Sequence, residues 1–195
     1  MPAALKLIVG LGNPGPEYTE TRHNAGFWFA DRLASQYQTG FSPEKKFHGE
    51  TARLVSGETD SRLLKPAIFM NRSGQAVQAI SEYYRVKPEE MLIVHDEIDL
   101  PPGVVRLKKG GGHGGHNGLR DIIEKTGNGD FLRLRLGVGH PGHKDDVVNY
   151  VLRRPSAEEK KLMDDAITRA LDIMPLVLNG ELNKAMTLLN VKCEG

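Results

Sequence analysis

Short apolar runs alternate along this chain with segments whose apolar residues recur every three or four positions. That alternation of strand and helix periods confines the fold to the α/β class. Strands are predicted over Lys6–Gly10, Glu50–Ser56, Arg62–Lys65, Met91–His95, Val104–Lys108 and Phe131–Gly139. In the last of these Phe131, Leu132, Leu134, Leu136 and Val138 interleave with Arg133 and Arg135. Helices are predicted over Ala25–Gln36, where Phe27, Ala30, Leu33, Ala34 and Tyr37 share a face, and over Gln75–Tyr84. A short one should follow Asn117, capped by its amide. A long one should open on Ser156 as N-cap, with Leu162, Ala166, Ala170 and Val177 inward, a kink at Pro175 and an end at Gly180.

A chain of 195 residues, 39% hydrophobic and 26% charged, suits one globular domain that needs no metal or disulfide to fold. The single cysteine, Cys193, excludes a disulfide framework and a cysteine-rich zinc site. The opening MPAALKLIVGLG is too short for a secretory core, and no stretch approaches ~18 apolar residues, so a cytoplasmic protein without a membrane span is expected. The net charge of +1 neither argues for nucleic acid nor excludes it.

GLGNPG, after the first strand, has the glycine spacing of a dinucleotide-binding turn at Gly10, Gly12 and Gly15. Such a turn must pass at once into a helix and be followed about 20 residues later by an acidic strand end. Here the polar stretch Pro16–Thr21 follows, and Asp31 falls inside the predicted helix, so dinucleotide binding is rejected. The glycines should instead turn the chain and bring Asn13 close to something bound.

Ligands of open α/β sheets bind beyond the carboxyl ends of strands. Asn13, Asn71 (ending LLKPAIFMN) and Asp96 (ending MLIVHD) occupy three such ends, and His23 lies in the loop entering the first helix. A histidine whose ring is held by a carboxylate is a general base able to accept a proton near neutral pH. Each residue has a plainer reading as a surface group or cap, and only their joint placement favours a site. Five glycines between Gly110 and Gly115 demand a mobile or tightly turned loop. With Lys108, Lys109, Arg133 and Arg135 nearby and a helix start at Asn117, that loop suits phosphate recognition or is a solvated basic loop. His113, His116, His140 and His143 with Asp96 offer a rival metal reading, although Gly and Pro spacers mount ligands poorly. No GxSxG elbow supports nucleophilic catalysis.

GLGNPGPEYTETRHNAGF, KPAIFMNRSG, VHDEIDLPPGVVRLKKGGGHGGHNGLRDI and FLRLRLGVGHPG, in this order from about Lys6 to Leu152, resemble the bacterial-type peptidyl-tRNA hydrolase family. The resemblance implies one α/β domain over residues 1–195, a twisted, mixed, largely parallel sheet flanked by helices. It implies cleavage of the ester joining a peptide to the terminal ribose of tRNA, by a monomer and without cofactor or metal. On the matching positions, His23 would be the base that activates water, Asp96 its partner, and Asn13 the residue that distinguishes blocked from free aminoacyl groups. Tyr18, Phe69, Asn71 and Asn117 would hold the acceptor end and peptide backbone, and Lys108 and Arg135 would clamp the 5′ phosphate. From the residues alone, a nucleic-acid-binding module without chemistry and a metal hydrolase stay open beside the esterase.

Overall fold

The computed structural model describes residues 3–191; Met1, Pro2 and residues 192–195, and with them Cys193, lie outside the described part. Seven strands form one sheet: β1 (Leu7–Gly10), β2 (Ser42–Glu44), β3 (Gly49–Ser56), β4 (Thr59–Pro66), β5 (Met91–Glu97), β6 (Val105–Lys109) and β7 (Leu132–Gly137). Their order is β2-β3-β4-β1-β5-β7-β6. The central β4, β1, β5 and β7 run parallel, and β3, β2 and β6 join antiparallel at the two sides. The carboxyl ends of four neighbouring strands therefore open on one rim, which is where α/β sheets place ligands.

Six helices cover the sheet: α1 (Ala25–Gln36), α2 (Ser73–Tyr84), α3 (Asn117–Thr126), α4 (Val147–Val151), α5 (Ala157–Leu178) and α6 (Leu182–Leu189). Alternation along the strands sorts the buried side chains into two cores. Ile8, Leu63, Leu92, Val94, Leu134 and Leu136 pack with α1, α5 and α6, while Leu7, Val9, Leu64 and Ile93 pack with α2 and α3. Asp96 continues the row of Leu92 and Val94, and so emerges on the side from which α1 approaches.

Several expectations need correction. The α3 cap is the His116 ring, whose Nδ1 accepts from the amides of Gly118 and Leu119, while the Asn117 side-chain Oδ1 accepts from Arg120. Leu162 is 44% exposed, its neighbour Met163 being the residue that turns into the core, whereas Ala166, Ala170 and Val177 are buried. Helix α5 continues through Pro175 and ends at Leu178, with Gly180 at φ 78° just past its cap, an end that agrees with the sequence expectation. Ser156 does cap it, in a reciprocal box with Glu159. Strand β2 and helices α4 and α6 are elements beyond those read from the sequence.

The glycines of GLGNPG serve packing more than any ligand. A Cβ on Gly10 would lie 2.3 Å from the Gly26 carbonyl oxygen, and one on Gly12 would lie 2.7 Å from the Phe27 ring. The reciprocal approach is as tight, since a Cβ on Gly26 would meet Leu11 N and Val94 O at 2.5 Å. Leu11 N also donates to Val94 O at 3.0 Å, so the start of α1 rests on the joined ends of β1 and β5. This close packing sets His23, two residues ahead of α1, above Asp96.

Candidate active site

A cleft of about 660 Å³ lies over the carboxyl ends of β1 and β5. Asn13, Tyr18, His23, Phe69, Asn71, Asp96 and Asn117 all line it, so seven of the nine residues singled out by sequence meet in one place. Lys108 and Arg135 do not line it. They lie on the neighbouring strands β6 and β7, where Lys108 stands opposite Arg133 and Arg106 opposite Arg135 on one face.

His23 occupies a 3-10 turn, Arg22–Asn24, that leads into α1. Its Nδ1 lies 3.0 and 2.9 Å from the two carboxylate oxygens of Asp96, and the ring nitrogen must donate, since a carboxylate only accepts. The proton is thereby fixed on Nδ1 and the Nε2 lone pair is left for the cleft. Asp96 also accepts from His116 Nε2, at 2.9 Å. Burial alone would raise the Asp96 carboxyl, but the two rings hold it far below the usual carboxylate range. Burial would likewise lower His23, yet the charge and hydrogen bond of Asp96 win and leave its imidazole above the ordinary value. His95, the neighbour of Asp96, faces the α2 and α3 side and donates from Nδ1 to the Asp96 carbonyl at 2.8 Å. Complete burial, and next the adjacent His116, push it down to about 4, so it stands neutral beside the dyad.

His23, Asp96 and His116 offer three ligand atoms within 4.8 Å of one another, as a metal site would. The hydrogen bonds oppose that use. A neutral metal-bound histidine donates its other N–H to an acceptor, whereas His116 Nδ1 faces two amide donors, at 3.1 and 3.3 Å. A metal on Nε2 would leave that ring with no proton on either nitrogen. The cluster is built around protons. The other histidines of the metal reading do not converge: His113 and His143 make only local contacts, and His140 reaches the cleft's rim alone.

Asn13 presents one end of its amide. Its Oδ1 accepts from Met70 N at 2.7 Å, which identifies the oxygen and leaves Nδ2 as a donor without a partner among the described residues. Its backbone is locked to the His23 turn: Asn13 N donates to Asn24 Oδ1 at 2.8 Å, and Asn24 Nδ2 returns to Asn13 O at 3.0 Å. On the rim, Tyr18 and Phe69 meet edge to face with ring centroids 6.2 Å apart, and Phe69 is 55% exposed. Val147, Val148, Val151 and Leu152, on and just after α4, form an apolar wall with Ile98.

The glycine-rich loop is tightly turned, with Gly110, Gly111, Gly114 and Gly115 at positive φ. The Arg133 guanidinium is consumed here: buried, it donates to the carbonyls of Gly111, Gly112 and Gly129, and so is a structural tie and no phosphate ligand. Arg135, half-buried, donates from Nε to Glu97 at 2.9 Å, and Lys108 is exposed. His116, offered by the sequence only as a metal ligand, and Asn24 and Met70, which it did not single out, are functional neighbours that the structure adds. The first two were adjacent to chosen residues in GGHNG and RHNAG, but only the fold shows what they bond.

A buried imidazole oriented by a carboxylate, with its free nitrogen facing a cleft at the strand ends of an α/β sheet, has the geometry to take a proton from a bound water, as hydrolytic sites require. Residues 7–194 match the pattern of the family described as peptidyl-tRNA hydrolase. A peptidyl-tRNA hydrolase of Neisseria gonorrhoeae is 54% identical over 192 residues, which cover 98% of this chain and 100% of that protein. One of Haemophilus influenzae is 51% identical over 187 residues, 95% of this chain and 96% of that protein. The crystal structure of peptidyl-tRNA hydrolase from Acinetobacter baumannii aligns with a TM-score of 0.94 at 51% identity, over 96% of this chain and 95% of that one. The chain belongs to the peptidyl-tRNA hydrolase family. Among the described residues no helix is long and apolar enough to cross a membrane.

Proposed function

We propose that this protein hydrolyses the ester between a peptide and the terminal ribose of tRNA, with His23 as the general base. The observation that carries the mechanism is the His23–Asp96 pair with Nδ1 bound at 2.9 Å and Nε2 open to the cleft. Water on Nε2 gives up its proton as it attacks the ester carbonyl, and the imidazolium that forms is stabilised by the Asp96 charge. The same proton then returns to the departing ribose oxygen. An ester is already activated, so a positioned base, contributing ~10²–10⁴-fold, and a donor at the developing oxyanion suffice without cofactor or metal.

Asn13 Nδ2 donates in this reading to the amide carbonyl of the N-acyl group, which a blocked aminoacyl ester has and an unblocked one lacks. Asn71 and Asn117 suit a peptide of varied sequence, since amides bond the main chain that all peptides share. Tyr18 and Phe69 offer faces on which the single-stranded acceptor end can stack. Lys108 and Arg135 take the 5′ phosphate beyond the cleft, Arg135 being held through its Nε by Glu97. His116 joins the two halves of the site, donating to Asp96 and capping the helix that begins with Asn117. A monomer in the cytoplasm, where peptidyl-tRNA arises, completes the reading. The direct test supplies purified protein, with excess chelator, with N-acetyl-aminoacyl-tRNA and with the unblocked aminoacyl-tRNA. Rapid release from the first and at least a hundredfold slower release from the second is expected; equal rates, or no release under chelation, would overturn it.

A further inference from the structure

Arg22 has no part in the chemistry above, yet it is a buried charged residue next to His23 in the same turn. Its amide donates to the Arg153 carbonyl at 3.0 Å. Its Nη1 donates to the carbonyls of Tyr150 at 3.0 Å and Arg153 at 3.4 Å, and Nη2 reaches Glu159 Oε1 at 3.4 Å. The guanidinium also lies over the Tyr150 ring, 3.9 Å from its centroid. All its side-chain bonds thus go to one target, the end of α4 and the start of α5, and its Nε is buried with no partner among the described residues.

Helix α4 needs such support. It has five residues, too few to hold a helix unaided. The segment before it bends at Gly139 and Gly142, and its histidines bond only their own turns. Among the described residues, α4 is fixed by Arg22, by the Tyr150 hydroxyl donating to the Val138 carbonyl at 2.7 Å, and by buried Val151. The apolar wall of the cleft stands on this helix and its last turn. Arg22 is also covalently next to His23, so the wall and the base share one anchor.

We infer that Arg22 is a positioning residue that ties α4 to the catalytic turn and sets the apolar wall where it receives the side chain of the amino acid whose ester is cut. This rests on the esterase reading above. A glycine at that place has nothing to bury against Val147, Val148 and Val151, whereas leucine or phenylalanine does. Substrate preference at that residue is then the quantity Arg22 controls.

The experiment compares the full chain with its Arg22→Lys and Arg22→Gln variants on one tRNA carrying N-acetyl-glycine or N-acetyl-phenylalanine. In the unaltered protein KM should favour the phenylalanyl ester by roughly tenfold, the scale of side-chain discrimination in an apolar pocket. In Arg22→Gln that preference should fall toward unity, with kcat and its pH profile kept, and Arg22→Lys should lie between. Hydrogen exchange should accelerate at residues 147–153 in Arg22→Gln and stay unchanged in the central strands. A retained preference, unchanged exchange at α4, or a fall in kcat with a displaced pH profile would each overturn the inference. If the unaltered protein cleaves neither ester, the functional reading fails, while the exchange measurement still decides whether Arg22 holds α4.

Discussion

Asp96→Asn removes one negative charge and one acceptor while keeping the shape of the side chain. Asp96 now accepts from His23 at 2.9 and 3.0 Å and from His116 at 2.9 Å. An asparagine has one oxygen and one NH₂ to face two N–H donors, so one ring must lose its partner or turn over. During attack the His23 ring becomes positive; at 2.9 Å and an effective dielectric of about 20, the missing attraction is roughly 5–6 kcal/mol. The amide dipole and local rearrangement return part of it. A net loss of about 3–5 kcal/mol is a fall of roughly 10²–10⁴-fold in kcat. The pH dependence should move as well. His23 works as a base only when unprotonated, and Asp96 holds its pKa above the ordinary 6.5, so the acid limb of the native profile lies above that value. Without the charge, burial remains and lowers the ring, so the limb should shift to lower pH. Single-turnover release of labelled peptide from peptidyl-tRNA, followed across pH, measures both effects. A variant within threefold of the native rate, or an acid limb that stays in place, would refute the reasoning.

Replacing Lys108 and Arg135 together by alanine should weaken full-length tRNA binding and flatten its salt dependence, at roughly 0.7 log units per tenfold salt for each phosphate charge no longer neutralised, while sparing a minimal peptidyl-nucleotide. An equal weakening on both substrates would remove the phosphate clamp. Gly26→Ala should destabilise the fold and loosen the seating of His23 over Asp96, because its Cβ would meet only rigid backbone at 2.5–2.6 Å and lift the start of α1 from β1 and β5. Overpacking of this kind costs about 1–3 kcal/mol, or roughly 3–10 °C in Tm for a chain of this size, and a calorimetric scan reads it directly.

What could be read from the sequence follows from which signals are local. Helix α1 begins and ends where its apolar spacing does, and β7 shows its alternation, since both elements bury one continuous face. Helix α4, VVNYV, is too short for a period to show and owes its place to Arg22 and Tyr150, more than a hundred residues apart in the case of Arg22. Strand β2, Ser-Pro-Glu, lacks any apolar pattern and is extended because β3 pairs with it. Leu182, Ala185, Met186 and Leu189 did carry a helical spacing beyond Gly180. That Asn13, Asn71 and Asp96 meet in one cleft was legible because the strand ends of an α/β sheet open on one rim, with His23 in the loop beside them. The roles of His116 and Arg133 were not, because a ring nitrogen capping a helix and a guanidinium folded back on glycine carbonyls leave no mark in residue spacing.

The central claim is that one imidazole moves the proton, and His23→Ala tests it most directly when peptide release and tRNA binding are measured on the same preparation. Single-turnover release should fall by at least about a hundredfold, the lower scale of general-base catalysis, while the affinity for tRNA stays within twofold. Release persisting within a few-fold of the native rate would contradict the account.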